Sequence, residues 1–189
     1  NQFDVKRKTL LAGVSSNYEA SIAYLKGLVE KHKTRESVKN YTFNYTVSML
    51  HEKYLQGREP KKALELATDS IVFLDSLYSV EAGNIKNYML LLVAKDYIEL
   101  GDYKNAKIYI ELFEPYYTSE GIWYEIIHGV IEIQSGQEHN GFQKINNALI
   151  LVEEHEVPLR NYDLEIANIA MRLLSQSGNH DMATVLMSK

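Results

Sequence analysis

Apolar residues recur at intervals of three and four positions along most of the chain, and short polar stretches with Gly or Pro interrupt them. This interval places the apolar side chains on one face of an α-helix. Residues 16–32 are an example, because Ile22, Leu25, Leu28 and Val29 share a face and residues 16–19 offer an N-cap that starts the helix. The pattern predicts a short helix that ends near Gly13 and a second helix that starts within residues 16–19 and ends near His32. Further helices are predicted at 38–56, 61–78, 84–100, 103–114, 120–135, 140–155, 161–176 and 180–187.

Glycines end several of the predicted helices and indicate a repeat. In residues 97–110, YIELGDYKNAKIYI, a predicted tight turn at Gly101 and Asp102 is followed by Tyr103 and by the small residue Ala106. This spacing is typical of the turn in a tetratricopeptide hairpin, a helix–turn–helix repeat of about 34 residues. Related turns occur at Gly57, Gly136 and Gly178.

Small residues at fixed positions test the hairpin assignment. Seven residues before the turn glycine, where paired helices approach closely, Ala94 and Gly129 are small, whereas Leu50 and Met171 are not. After the turn the small residue is present in every hairpin, as Ala63, Ala106, Gly141 and Ala183. We therefore predict an all-α fold, a right-handed solenoid of antiparallel tetratricopeptide-like hairpins with about four full pairs and an incomplete first one.

The predicted solenoid is a single domain, 1–189. Its parts are an incomplete first repeat at 1–37 and successive hairpins at 38–82, 83–118, 119–157 and 158–189. In a tetratricopeptide array the first helix of each hairpin lines the concave surface. The groove positions that we select as candidate peptide-binding residues are Asn44, Val47, His51, Tyr54, Tyr88, Leu91, Lys95, Trp123, Ile126, Val130, Asn168 and Arg172.

The mixed chemistry of this groove stripe suits an extended peptide. Asn side chains donate and accept hydrogen bonds together, so Asn44 and Asn168 are candidates to pair with a peptide backbone. Apolar side chains such as Trp123 form walls for the side chains of the peptide, and Lys95 or Arg172 is placed to receive a carboxylate. The alternative is ordinary packing, in which the apolar members are covered by the next helix or by a second subunit.

Composition and charge argue against several classes of protein. The net charge of −5 argues against a nucleic-acid surface, and the absence of Cys excludes disulfides and fits a reducing cytoplasm. No apolar run approaches the roughly 18 residues that cross a bilayer, so no membrane association is expected. Because the chain begins with Asn1 and not with Met, we expect it to be a fragment of a longer protein.

Motifs for catalysis are missing from the sequence. His51 and Glu52 begin like a zinc-protease helix, but no second His follows four residues after the first. The six His are scattered, and there is no nucleophile elbow, phosphate-binding glycine loop or dinucleotide fingerprint. We therefore expect no enzyme activity, no cofactor and no metal.

The last third of the chain resembles a known family. It reads IWYEIIHGVIEIQSGQ at 122–137, GFQKINNALILVEE at 141–154 and LEIANIA at 164–170. These segments resemble the C-terminal repeat region of Rgg-type transcriptional regulators, which are Gram-positive peptide-pheromone receptors. The resemblance implies a cytoplasmic, homodimeric ligand-sensing domain that binds a short peptide in its concave groove. It also implies a helix-turn-helix DNA-binding domain upstream of Asn1, which this chain does not include.

Two functional classes stay open. The first is the peptide-sensing domain of a quorum-sensing type regulator, which contacts no nucleic acid through this segment itself. The second is a generic tetratricopeptide scaffold that joins partner proteins and has no small ligand. The identity of the upstream residues would separate the two classes.

Overall fold

Residues 17–115, 118–155 and 164–187 are described by the computed structural model, and within these ranges the chain is α-helical without any strand. The helices are α1 (Tyr18–His32), α2 (Arg35–Lys39), α3 (Thr42–Gln56), α4 (Pro60–Asp75), α5 (Val80–Glu99), α6 (Tyr103–Glu111), α7 (Thr118–Gln134), α8 (Glu138–His155), α9 (Leu164–Gln176) and α10 (His180–Met187). The predicted all-helical class is confirmed. No helix in the described ranges is long and apolar enough to cross a membrane. The predicted helix near Gly13 and residues 161–163 lie outside the described ranges.

The predicted helix at 38–56 is wrong at its start. The structure has two helices there, α2 and α3, separated by Asn40 and by Tyr41, whose φ of 59° is left-handed. Polar residues 34–37, which precede the predicted helix at 38–56, begin α2, because the Thr34 side chain accepts a hydrogen bond from the Ser37 amide at 3.2 Å. The Asn40 side chain then accepts from the Thr42 amide at 3.1 Å. Asn side chains compete with helical backbone bonds in this way, which explains the break.

The turn that indicated the repeat forms as predicted. Gly101 has a φ of 76°, a left-handed conformation that ends α5 without a side-chain penalty. The Asp102 carboxylate accepts from the Asn105 amide at 3.1 Å and caps α6. The rings of Tyr97 and Tyr109 stack with centroids 5.5 Å apart, which ties the end of α5 to α6.

Gly57 ends α3 for a different reason. Its φ is −80°, and the left-handed residue of the turn is Arg58, with a φ of 58°. A Cβ on Gly57 would overlap the ring of Tyr18. A side chain at position 57 would therefore have to displace the Tyr18 ring, which packs against the turn between α3 and α4.

Contacts divide the chain into two compact units, Asn1–Asp96 and Tyr97–Lys189. In the first unit α3 packs against α1, α2 and α4, with Leu25, Leu50 and Leu74 in the core. The edge-to-face pair of Phe43 and Phe73, with centroids 5.0 Å apart, joins α3 to α4.

The second unit is built around α7. This helix packs against α6, α8 and α9, and Ile122, Ile126, Ile127 and Ile131 are fully buried on it. Its contact with α8 is the most extensive between two helices in the described residues.

The α7–α8 seam brings two helix backbones together. A Cβ added to Gly129 would lie 2.7 Å from the carbonyl oxygen of Gly141, and one added to Gly141 would lie 2.6 Å from that of Gly129. Side chains cannot occupy these positions without moving a backbone. The small residue that the repeat pattern predicts at Gly129 therefore does mark a close approach of two helices.

Candidate functional site

A cleft lies in the first unit between α1, α3 and α4. Its volume is about 360 Å³. The apolar residues that line it are the buried Val29, Leu50 and Tyr54 together with the half-buried Leu66, and they form its floor. The charged residues that line it are exposed and form its rim, namely Lys26, Glu30, Lys62, Glu65 and Asp69. An apolar floor with a polar rim is the usual character of a ligand pocket.

One end of the cleft is held by contacts between α1 and the turn after α3. The hydroxyl of Tyr18 donates to the Glu59 carboxylate at 2.6 Å, and Lys62 lies 2.5 Å from the other oxygen of Glu59. Burial and this hydrogen bond raise the pKa of Tyr18 to about 12, so the hydroxyl stays a donor. Hydrogen bonds from Lys62 and Tyr18 lower the pKa of Glu59. Glu59 therefore remains an anion that both neighbours bind.

The charged side chains on the rim differ in whether they have an interaction partner. Lys62 pairs with Glu59, and the Lys26 ammonium lies 5.8 Å from the centroid of the Tyr54 ring, a cation–π distance. By contrast, the carboxylates of Glu30, Glu65 and Asp69 have neither a hydrogen-bond partner nor an ion pair within the described part of the chain. The unsatisfied charge at the cleft is therefore negative.

Two of the predicted groove residues on α3 have different surroundings. Tyr54 lies in the cleft, whereas the Nε2 atom of His51 lies 2.8 and 3.0 Å from the two carboxylate oxygens of Asp96 on α5. Both members of this pair are buried. Burial raises the pKa of Asp96, while the hydrogen bond and charge of His51 oppose that rise. His51 therefore joins α3 to α5 and does not line the cleft.

Half of the other predicted groove residues, the apolar ones, lie in the interior. Val47, Ile126 and Val130 have no exposed surface, and Leu91 and Trp123 are also buried. Their burial is what the alternative interpretation, ordinary packing, expects, and the peptide-binding role of these positions stays a prediction.

The polar members of the predicted stripe are more accessible. Asn44, Tyr88 and Lys95 are half-buried, and Asn168 and Arg172 are exposed. The side-chain oxygen of Asn44 is buried without a hydrogen-bond partner in the described residues. The set is divided between the two units, with Trp123 and the residues after it in the second.

The sequence prediction missed most residues of the cleft. It searched the first helices of the hairpins, whereas α1 and α4, which carry the rim, are second helices in the repeat scheme. One signal was present, because Leu50 is a large residue where the repeat pattern requires a small one. Leu50 is now found in the floor of the cleft.

The second unit contains a buried histidine of another kind. Both ring nitrogens of His128 are buried and have no hydrogen bond to any of the described residues, and its Nδ1 atom lies 4.0 Å from the Glu132 carboxylate. Its ring packs against Tyr124 with centroids 4.8 Å apart. Burial lowers the pKa of His128, so the neutral imidazole is favoured. Within the described ranges, no group of three or more His, Cys, Asp or Glu side chains is arranged to hold a metal ion.

In comparisons with known proteins, no family model matches this chain, and neither a curated protein nor a solved structure matches it significantly. The functional interpretation therefore depends on the site itself.

Proposed function

We propose that this chain is a peptide-binding module and that the cleft between α1, α3 and α4 receives a side chain of the peptide. The observation that carries the proposal is a cleft of about 360 Å³ whose floor is apolar and whose rim is charged. Ligand pockets in proteins range over about 300–1,000 Å³. A cleft near the lower end of that range takes one or two large apolar side chains of a short segment.

In this proposal the helix hairpins form a tetratricopeptide-like solenoid, and the module senses a peptide for a transcriptional regulator. The resemblance to Rgg-type regulators supports that role, and it also supports a homodimer. The cleft differs from the concave groove of that resemblance, because second helices form its rim.

A selection experiment tests the proposal. Short random peptides displayed on phage are selected on the whole chain, and the selected peptides are measured by calorimetry and by the thermal stabilisation that binding to the folded state produces. Leu66→Arg replaces part of the apolar floor with a longer, charged side chain, and we expect it to weaken binding by at least about tenfold, since the apolar side chain of the peptide loses that contact surface.

Val72→Arg is the matched control, because Val72 is also on α4 but is 71% exposed and does not line the cleft. It should leave affinity unchanged. Failure to select any peptide would contradict the proposal and favour the scaffold alternative. Selected peptides that bind the Leu66→Arg protein as well as the wild type would also contradict it.

A further inference from the structure

The charges around the cleft indicate which peptides it accepts, and this inference rests on the proposed function. Both rim lysines already have partners, since Lys62 is 2.5 Å from the Glu59 carboxylate and Lys26 lies over the Tyr54 ring. An anionic ligand would have to displace these contacts. Among the described residues that line the cleft, an acidic side chain of the peptide therefore finds no cation without a partner.

The unengaged groups are carboxylates on both sides of the cleft. Glu30 is on α1, and Glu65 and Asp69 are on α4, one helical turn apart. Like charges four residues apart on a helix repel each other, and a bound cation would relieve that repulsion. All three line the same cleft and are exposed, so a ligand reaches them without unfolding either helix.

We propose that the cleft binds a peptide in which a large apolar side chain is adjacent to Arg or Lys. The apolar side chain occupies the floor formed by Val29, Leu50 and Leu66, and the cation pairs with Glu65 and Asp69. Arg suits this position well, because its apolar stem covers hydrophobic surface while its guanidinium binds carboxylates through two parallel hydrogen bonds. The net charge of −5 also attracts a cationic ligand.

The test compares peptide pools selected on three proteins. The first is the wild type, the second is Glu65→Gln/Asp69→Asn, and the third is Glu19→Gln/Glu36→Gln. The third removes the same net charge from exposed positions of the same unit that do not line the cleft. Thermal melts establish that all three proteins are folded.

We expect the wild type and the third protein to select peptides rich in Arg or Lys beside an aromatic or aliphatic residue. The second protein should lose this enrichment. It should also bind a wild-type-selected peptide about two- to fivefold more weakly for each carboxylate removed, as partly exposed ion pairs do. Added salt should weaken binding to the wild type and have less effect on the second protein.

Three results overturn this inference and are distinguishable. If wild-type peptides lose affinity for the Leu66→Arg protein but show no enrichment in cations, the proposed function stands and the charge preference is wrong. If no peptide is selected, both are wrong. An equal enrichment on the second protein would also refute the role of Glu65 and Asp69.

Discussion

The hairpins α3–α4 and α7–α8 share a turn pattern but differ at one position of the seam. Gly129 lies seven residues before Gly136, and its backbone touches that of Gly141 on α8. Leu50 lies seven residues before Gly57, and its side chain forms part of a cleft floor. In this pair of hairpins, the small residue accompanies a close contact between two helix backbones, and the large residue lies in the floor of a cleft that α1 also lines.

The largest effect on stability is expected when the α7–α8 hairpin receives, at position 129, the Leu that the α3–α4 hairpin has at the corresponding position 50. Gly129→Leu places a side chain where even a Cβ would meet the Gly141 carbonyl oxygen at 2.7 Å. Overpacking against backbone, which cannot rotate away, should lower the free energy of unfolding by about 3 kcal/mol or more in urea denaturation.

Gly121→Ala is the control for that substitution. Gly121 is on the same helix, and a Cβ there meets no atom within 4 Å. It should stabilise the protein by about 0.5–1 kcal/mol, because Ala is the better helix former. A Gly129→Leu protein as stable as Gly121→Ala would refute the close seam.

A somewhat smaller effect on stability is expected in the α3–α4 hairpin. Leu50 is 1% exposed, and Leu50→Ala removes its packing. We expect a loss of about 2–3 kcal/mol, in the lower part of the usual range because the adjacent cleft lets neighbours relax. Calorimetry of the same variant should show weaker binding of selected peptides. A loss of stability without any change in peptide affinity would show that Leu50 is not part of the binding site.

The two hairpins also differ in their buried histidines, and this gives the smallest expected effect. His51 is hydrogen-bonded to Asp96, whereas His128 has no hydrogen bond within the described part of the chain. The groups that face His128 are Tyr124 and Glu132 on α7, Lys144 on α8, and Lys107 and Glu111 on α6. Burial lowers the pKa of His128 below its ordinary value of 6.5. His128 therefore binds a proton more weakly in the folded chain than in the unfolded chain. Its contribution to the free energy of unfolding is complete above about pH 6.5 and is lost as pH falls through the folded pKa.

The measurement is urea unfolding of the wild type and of His128→Gln between about pH 8 and about pH 5. The wild type should lose more stability than the variant over this interval. His32, whose pKa is also lowered by burial, contributes equally to both proteins and cancels in the difference. Parallel pH profiles would contradict the unpaired, neutral state of His128.

Much of the helical structure followed from local signals. Apolar periodicity predicted the helices, and the turn at Gly101 and Asp102 formed where expected, because left-handed glycines and N-caps act within a few residues. The break at Asn40 was missed because a single side chain there competes with the helix backbone. Periodicity alone does not report that competition.

The cleft was harder to predict because it depends on three helices that are separated along the chain. Rim residues such as Glu30 and Asp69 look like any solvated helix face in the sequence. Buried positions such as Val130 looked like groove residues, because periodicity identifies a face of a helix but not what covers it. The useful signal was the exception at Leu50, where the size rule for the seam is broken.

The position of a bound peptide tests the central claim most directly. Methyl resonances of the whole chain are recorded by NMR while a selected peptide is added. We predict that the largest shifts fall on Val29, Leu50 and Leu66 in the cleft. Shifts centred instead on Leu91, Ile126 and Val130, the apolar part of the predicted concave groove, would contradict the cleft as the binding site.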